Sequence, residues 1–281
     1  PVRQAGLGLP DPRATAPTNH SVSKLVTEKL VRSLLTGEPL GAAAHAASAS
    51  EGQKAHRLLQ AQAAAAKLQE LCAGATPAAT RRMKRSTETG AWLTVTPELQ
   101  NGTDLSAEEF RDSLRLRLGL QPASLPHRCD GCAQRFTVEH AMSCKKGGLV
   151  LLRHNDVAAE WHHLCAMALT PSAVSDDPLI NTGRDSRDET PQSAEPPKEL
   201  RGDVGVHGFW KRGTTAIFDI RVTDLDARSH RTHDPRKILL HHEKAMKVKY
   251  NDLCLARRRS FTPLVFSVDG LRGPEGEAAC K

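Results

Sequence analysis

The chain has 281 residues, 39% of them hydrophobic, enough for one large or two small domains with a true core. Its apolar runs, such as Ala61 to Ala66, fall far short of the roughly 18 residues a membrane helix needs, and no charged-then-apolar leader is present. The net charge of +7 and seven cysteines, an odd number without a regular framework, point away from a secreted disulfide scaffold and toward a reduced, intracellular, polyanion-facing protein.

The first 22 residues are rich in Pro, Ala and Thr and are expected to be poorly ordered. Residues 23–125 read as a helical connector. Its helices are expected at Ser23 to Leu35 and at Ala55 to Cys72, and the basic cluster Arg81-Arg82-Met83-Lys84-Arg85 as a surface loop. Ser106 with Glu109 three residues on forms a capping box for a helix running to about Leu118, which Gly119 stops. Pro1 in place of an initiator Met suggests a piece of a longer polypeptide.

Residues 126–147 carry Cys129-Asp-Gly-Cys132, seven intervening residues, then His140-Ala-Met-Ser-Cys144. A Cys-x2-Cys turn places two thiolates on one metal, and His140 with Cys144 can close a tetrahedron. The expectation is a structural zinc with no open position for chemistry. Little apolar material surrounds it, mainly Phe136 and Val138, so metal would supply most of the folding energy.

Residues 148–281 follow the order helix, strands, helix, strand: an α+β or α/β domain. A helix is expected from Leu149 to Leu169, a short strand within Val174 to Ile180, and a flexible polar insertion from Asn181 to Glu199. Two extended runs, Asp203 to Trp210 and Ala216 to Thr223, flank Lys211-Arg212-Gly213 like a hairpin. Pairing about that turn puts positions 203, 205, 219 and 221 on one face. A basic helix, Pro235 to Arg259, and a buried strand, Pro263 to Val268, complete the order.

On that helix Ile238, His242, Ala245, Met246, Lys249, Leu253 and Ala256 share one arc, whereas Lys247 lies opposite and meets solvent or phosphate. Two carboxylates on one face beside a lysine suit metal-dependent phosphodiester hydrolysis. Asp203 and Asp219 would hold magnesium and Lys249 would serve the attacking water, the competing reading being a lysine that snorkels along the core edge. Arg221 would contact the phosphate, and Glu160 or Asp156 would add a third carboxylate. The segment from His207 to Arg259 holds 13 Lys/Arg against six acids, so the whole positive excess lies there; a solvated charged helix is the bland alternative.

Taken together, Cys-x2-Cys-x7-His-x3-Cys, Lys145-Lys-Gly-Gly148, Arg153-His-Asn155, Gly202-Asp203, Asp219-Ile-Arg-Val222, Lys249-Tyr250 and Phe261-Thr-Pro-Leu264 resemble the C-terminal part of non-LTR retrotransposon polyproteins, over about residues 86 to 281. The resemblance implies a zinc knuckle followed by a PD-(D/E)xK restriction-like endonuclease that nicks target DNA and leaves a 3′ hydroxyl to prime reverse transcription. It implies catalytic Asp203, Asp219 and Lys249, with Lys249 as a lysine moved onto the helix. Arg153 falls in that family's first helix, and Arg153, Lys247, Arg257 and Arg258 are expected on nucleic acid, with target DNA and element RNA as partners and a nuclear location. Gly202 stands where the name motif has proline, and Arg221 at its usual lysine position. No polymerase motif occurs in the chain. The other readings are a nucleic-acid-binding module with a degenerate nuclease fold, and a host protein that uses the scaffold for protein interaction.

Overall fold

A computed structural model describes residues 2–9, 11–181 and 199–281. The chain divides into two compact units, Pro1–Leu120 and Gln121–Lys281. That boundary lies just before the expected end of the connector.

The first unit is helical. Helix α1 spans Pro12–Thr36 and α2 spans Ala42–Ala73. The Pro/Ala/Thr-rich start is therefore helical from Pro12 instead of poorly ordered. Its signal is local: Asp11 accepts a hydrogen bond from the Arg13 N–H, and Pro12 occupies the first helical position, where its missing N–H costs nothing. The two helices approach closely at Gly52, where a Cβ would lie 2.5 Å from Val26 Cγ2. Helix α3 (Pro77–Ser86) replaces the basic surface loop expected at 81–85. Thr76 caps it through the Ala79 N–H, Pro77 opens it, and Arg85 is buried. Helix α4 (Ala107–Leu118) has the expected Ser106–Glu109 capping box, and Gly119 takes the left-handed conformation at its end.

The second unit is a mixed sheet between helices. Helix α5 covers Val138–Ser143 and α6 Leu149–Ala168; strands β1 (Val174–Asp176), β2 (Leu179–Asn181), β3 (Leu200–Arg201), β4 (Val204–His207) and β5 (Thr215–Thr223) follow. Helix α7 (Pro235–Ala256), strand β6 (Ser260–Ser267) and helix α8 (Pro274–Ala279) complete the unit. The main sheet has the order β1-β4-β5-β6, antiparallel except for the parallel pair β5/β6, while β2 and β3 form a separate ribbon. The insertion expected to be flexible falls almost wholly outside the described residues.

Side-chain alternation along β5 builds two cores. Ala216, Phe218 and Ile220 join Val204, Val206 and Leu264 against Trp161 and Cys165 of α6, with Trp161 edge-on to Phe218 at 5.2 Å. Ile217 and Val265 face the other way, onto Leu239, Met246, Tyr250 and Cys254 of α7. Burying β5 on both faces explains its run Ala216-Ile-Phe, and it fixes the register that carries the candidate site.

Candidate functional site

The backbone brings two acids together. Val204 pairs with Phe218 and Gly205 with Ile217; the Asp203 N–H also donates to the Phe218 carbonyl at 2.9 Å, which holds Asp203 at the end of that pairing, close enough to Asp219 for the two carboxyls to interact. Asp203 is held from two sides. Its Oδ2 accepts the Ile220 N–H at 2.5 Å and lies 3.2 Å from His154 Nε2. Burial, followed by the neighbouring Asp203 charge, pushes the Asp219 carboxyl up to about 7, while His154 and Lys249 pull in the opposite sense. The hydrogen bond to Asp203 is the main reason the His154 imidazole is raised to about 9. A like-charged pair with both members partly buried is the situation a cation or a proton relieves.

His154 was missing from the sequence reading, which looked to Glu160 or Asp156 for α6's contribution. Both acids are exposed, and no contact links either to the pair. Helix geometry gives the reason: position 160 lies about 240° around the axis from 154 at 100° per residue. His154 continues the buried Trp161–Cys165 stripe to the helix's first turns, and Glu160 cannot share it. An imidazole two residues before Asp156, on the apolar face, was the available signal.

Lys249 acts on Asp219, but from the margin of α7 instead of its apolar centre. The stripe runs through Leu239, His242, Glu243, Met246, Tyr250 and Cys254, leaving Ala245 and Ala256 exposed. It is rotated from the expected arc because Tyr250 packs into the core, its ring tilted 44° to that of Phe261 with centroids 5.2 Å apart. Lys249 Nζ donates to Tyr250 Oη at 2.6 Å and lies 4.4 Å from that ring's centroid. Arg221 is exposed on the sheet face it shares with Asp219, and its charge helps depress the buried His242 to about 4, an effect second to desolvation.

The residues expected on nucleic acid are dispersed. Lys247 pairs with Glu275 of α8 at 2.5 Å, so its ammonium is engaged within the fold. Arg153 is half-buried, donating to Met142 Sδ at 3.0 Å and lying in the field of Asp224. Arg257 and Arg258 end α7, with Arg258 exposed at a positive φ of 55°.

The Cys/His cluster is assembled. Ligand atoms of Cys129, Cys132, His140 and Cys144 all lie within 4.8 Å of one another, the only such Cys/His/Asp/Glu group of three or more among the described residues. Cys129 and Cys144 sulfurs are 3.9 Å apart, Cys132 and Cys144 3.8 Å, and Cys132 Sγ to His140 Nε2 is 3.3 Å. A tetrahedron with zinc–sulfur bonds of about 2.3 Å needs sulfurs about 3.8 Å apart. These donors can hold a metal such as zinc. The thiols of Cys129 and Cys144 are lowered, the first by His140 and the second by the Gly147 N–H, which favours the thiolates a metal requires. Thr137 caps α5 through the His140 N–H, fixing the imidazole's backbone.

No protein-family model and no curated protein matches the chain. Among the described residues no helix is long and apolar enough to cross a membrane.

Proposed function

We propose that the second unit is a metal-dependent phosphodiesterase acting on DNA, with a PD-(D/E)xK-like core and a structural zinc beside it. The observation that carries this reading is the meeting of the Asp203 and Asp219 carboxyls at the end of the β4/β5 pairing, with Asp219 raised to about 7. The sheet order β1-β4-β5-β6, with α6 before it and α7 crossing over to a parallel β6, supports the fold assignment. Magnesium, when bound, supplies neutralisation of the charge that builds on the phosphate.

The chain's own residues do the rest. Asp203, anchored by His154 and the Ile220 N–H, stands beside Asp219. Lys249 is placed to hydrogen-bond the attacking water or a phosphate oxygen, and Arg221 to meet the backbone further along the same face. Water adds to phosphorus, and the bond to the leaving oxygen breaks to release a 3′ hydroxyl. The retroelement assignment, with target DNA and element RNA as partners in the nucleus, rests on the order of motifs alone.

The test is nicking of supercoiled plasmid with magnesium by the full chain. The wild type is expected to relax plasmid, and Asp219→Ala to lose at least about 100-fold in rate, as removal of a charge-stabilising group does. Equal nicking by both proteins rejects the site. The reading as a binding module with a degenerate nuclease is favoured by Arg221 at the usual lysine position and by the exposure of Lys249; plasmid binding without nicking by the wild type would establish it.

A further inference from the structure

Beside the Cys/His cluster runs a short ribbon with open edges. The Cys129 N–H donates to the Gln134 carbonyl at 2.9 Å and the Phe136 N–H to the His127 carbonyl at 3.1 Å, and between those bonds Arg128 and Arg135 form an antiparallel bridge. A pair in that position makes neither bond itself, so the N–H and C=O of Arg128 point out from one edge and those of Arg135 from the other. None of these four groups has a partner among the described residues. Thr137 keeps extended backbone, φ −138° and ψ 168°, before α5 begins, so the Arg135 edge runs on to a second outward N–H.

The faces of the ribbon differ as well. Residues bridged across it send their side chains to the same side, so two guanidinium groups stand together, both residues exposed and neither with a hydrogen-bond or ion-pair partner among the described residues. Phe136, the next residue, points to the opposite side, its ring 6.1 Å from that of His140. Arg128, Arg135 and Phe136 border a cleft of about 590 Å³ together with Leu125 and Pro126. An occupant of this edge must donate to the Arg135 carbonyl, accept from N–H groups, and turn negative charge to one side and apolar surface to the other. Phosphate oxygens accept but have nothing to donate, whereas an extended peptide supplies a donor and an acceptor at every second residue and sends successive side chains to opposite faces.

We propose that the Arg135–Thr137 edge binds an extended acidic peptide by strand addition, its carboxylates at alternate positions meeting the two arginines and its intervening apolar side chains lying beside Phe136. The site shares no residue with the carboxylate pair and does not rest on the reading of that pair. The probe is a fluorescein-labelled peptide of alternating glutamate and valine, titrated by anisotropy into the zinc-loaded full chain. A permuted peptide, with glutamates and valines in separate blocks, has the same charge and composition without the alternation and is expected to bind more weakly.

Arg128→Gln/Arg135→Gln, with zinc content checked, is expected to lose roughly 2- to 30-fold in affinity, as for two exposed ion pairs. Backbone methylation of the glutamates or of the valines separates strand pairing from simple charge attraction. One set turns its N–H groups to the ribbon and should lose roughly 2- to 10-fold for each hydrogen bond, and the other set should bind as the unmethylated peptide does. No binding of the alternating peptide, equal affinity for the permuted one, unchanged affinity in the double arginine variant, or equal effects of the two methylations would overturn the proposal. So would an oligothymidylate that displaces the peptide with the higher affinity.

Discussion

Gly202 and Asp203 are neighbours with opposite tolerances. The Gly202 N–H donates to the Pro178 carbonyl at 3.0 Å, and a Cβ there would stand 2.5 Å from Ile217 Cγ2 and 3.1 Å from the Phe218 carbonyl oxygen. Restoring the motif proline, Gly202→Pro, would remove that donor and press a ring into Ile217. It is expected to destabilise the chain by about 3 kcal/mol in urea unfolding, without gain of nicking. Gly202 is thus the residue that this packing admits. Asp219 and His154 set a pH dependence. Asp219 is raised from 3.8 to about 7, so the folded chain keeps a proton the unfolded chain gives up, and metal-free stability falls as pH rises from about 4 to about 7. His154 is raised from 6.5 to about 9, and its contribution, complete below about 6.5, is lost as pH climbs through about 9. In calorimetry Asp219→Asn should match the wild type near pH 4 and exceed it in stability near pH 8, and His154→Gln should lose its deficit near pH 9. Equal profiles for Asp219→Asn and wild type would show that the acid pair is not strained.

Among the elements, the zinc module is the one expected to depend on its metal. Between Gln121 and Val138 it buries one hydrophobic residue, Cys129. Cys132→Ser or chelation should abolish cobalt thiolate absorption and remove hydrogen-exchange protection from residues 126–147, since metal binding supplies about 10 kcal/mol or more in modules of this kind. Protection in β5 and β6, built on their own core, should survive. The sequence was readable where local chemistry decides: the capping box at Ser106, the Gly119 stop, the Cys/His spacing, and the pairing of β4 with β5. It was less readable where a distant contact decides. The orientation of α7 turns on Tyr250, whose ring packs and whose hydroxyl accepts from Lys249, a dual character that apolar counting leaves out. The meeting of His154 with Asp203 joins residues 49 positions apart, and no spacing rule announces it. Helix α8 went unseen because its six residues hold little periodicity. It is secured from outside, by Glu243 of α7 accepting the Glu275 N–H at 3.0 Å.

Across the whole molecule, stability is unevenly shared. Among the described residues, every buried hydrophobic core residue lies at or beyond Cys129, while Leu34 and Leu35 of α1 are 75% and 81% exposed. Amides of α1 and α2 should therefore exchange orders of magnitude faster than those of β5, as expected for helices with little burial behind them; comparable protection would mean that something covers the hairpin in solution. The β4/β5 hairpin has a further consequence, for the order of assembly on the ribosome. Both aspartates belong to one short local loop, whereas Lys249 emerges only with the following helix, and hairpins close within about 1–10 μs. The nascent chain thus creates its electrostatic repulsion before it makes the amine that eases it. Until then water, or His154 already synthesised upstream, eases that repulsion, because the burial that dominates the Asp219 shift comes only with the later core.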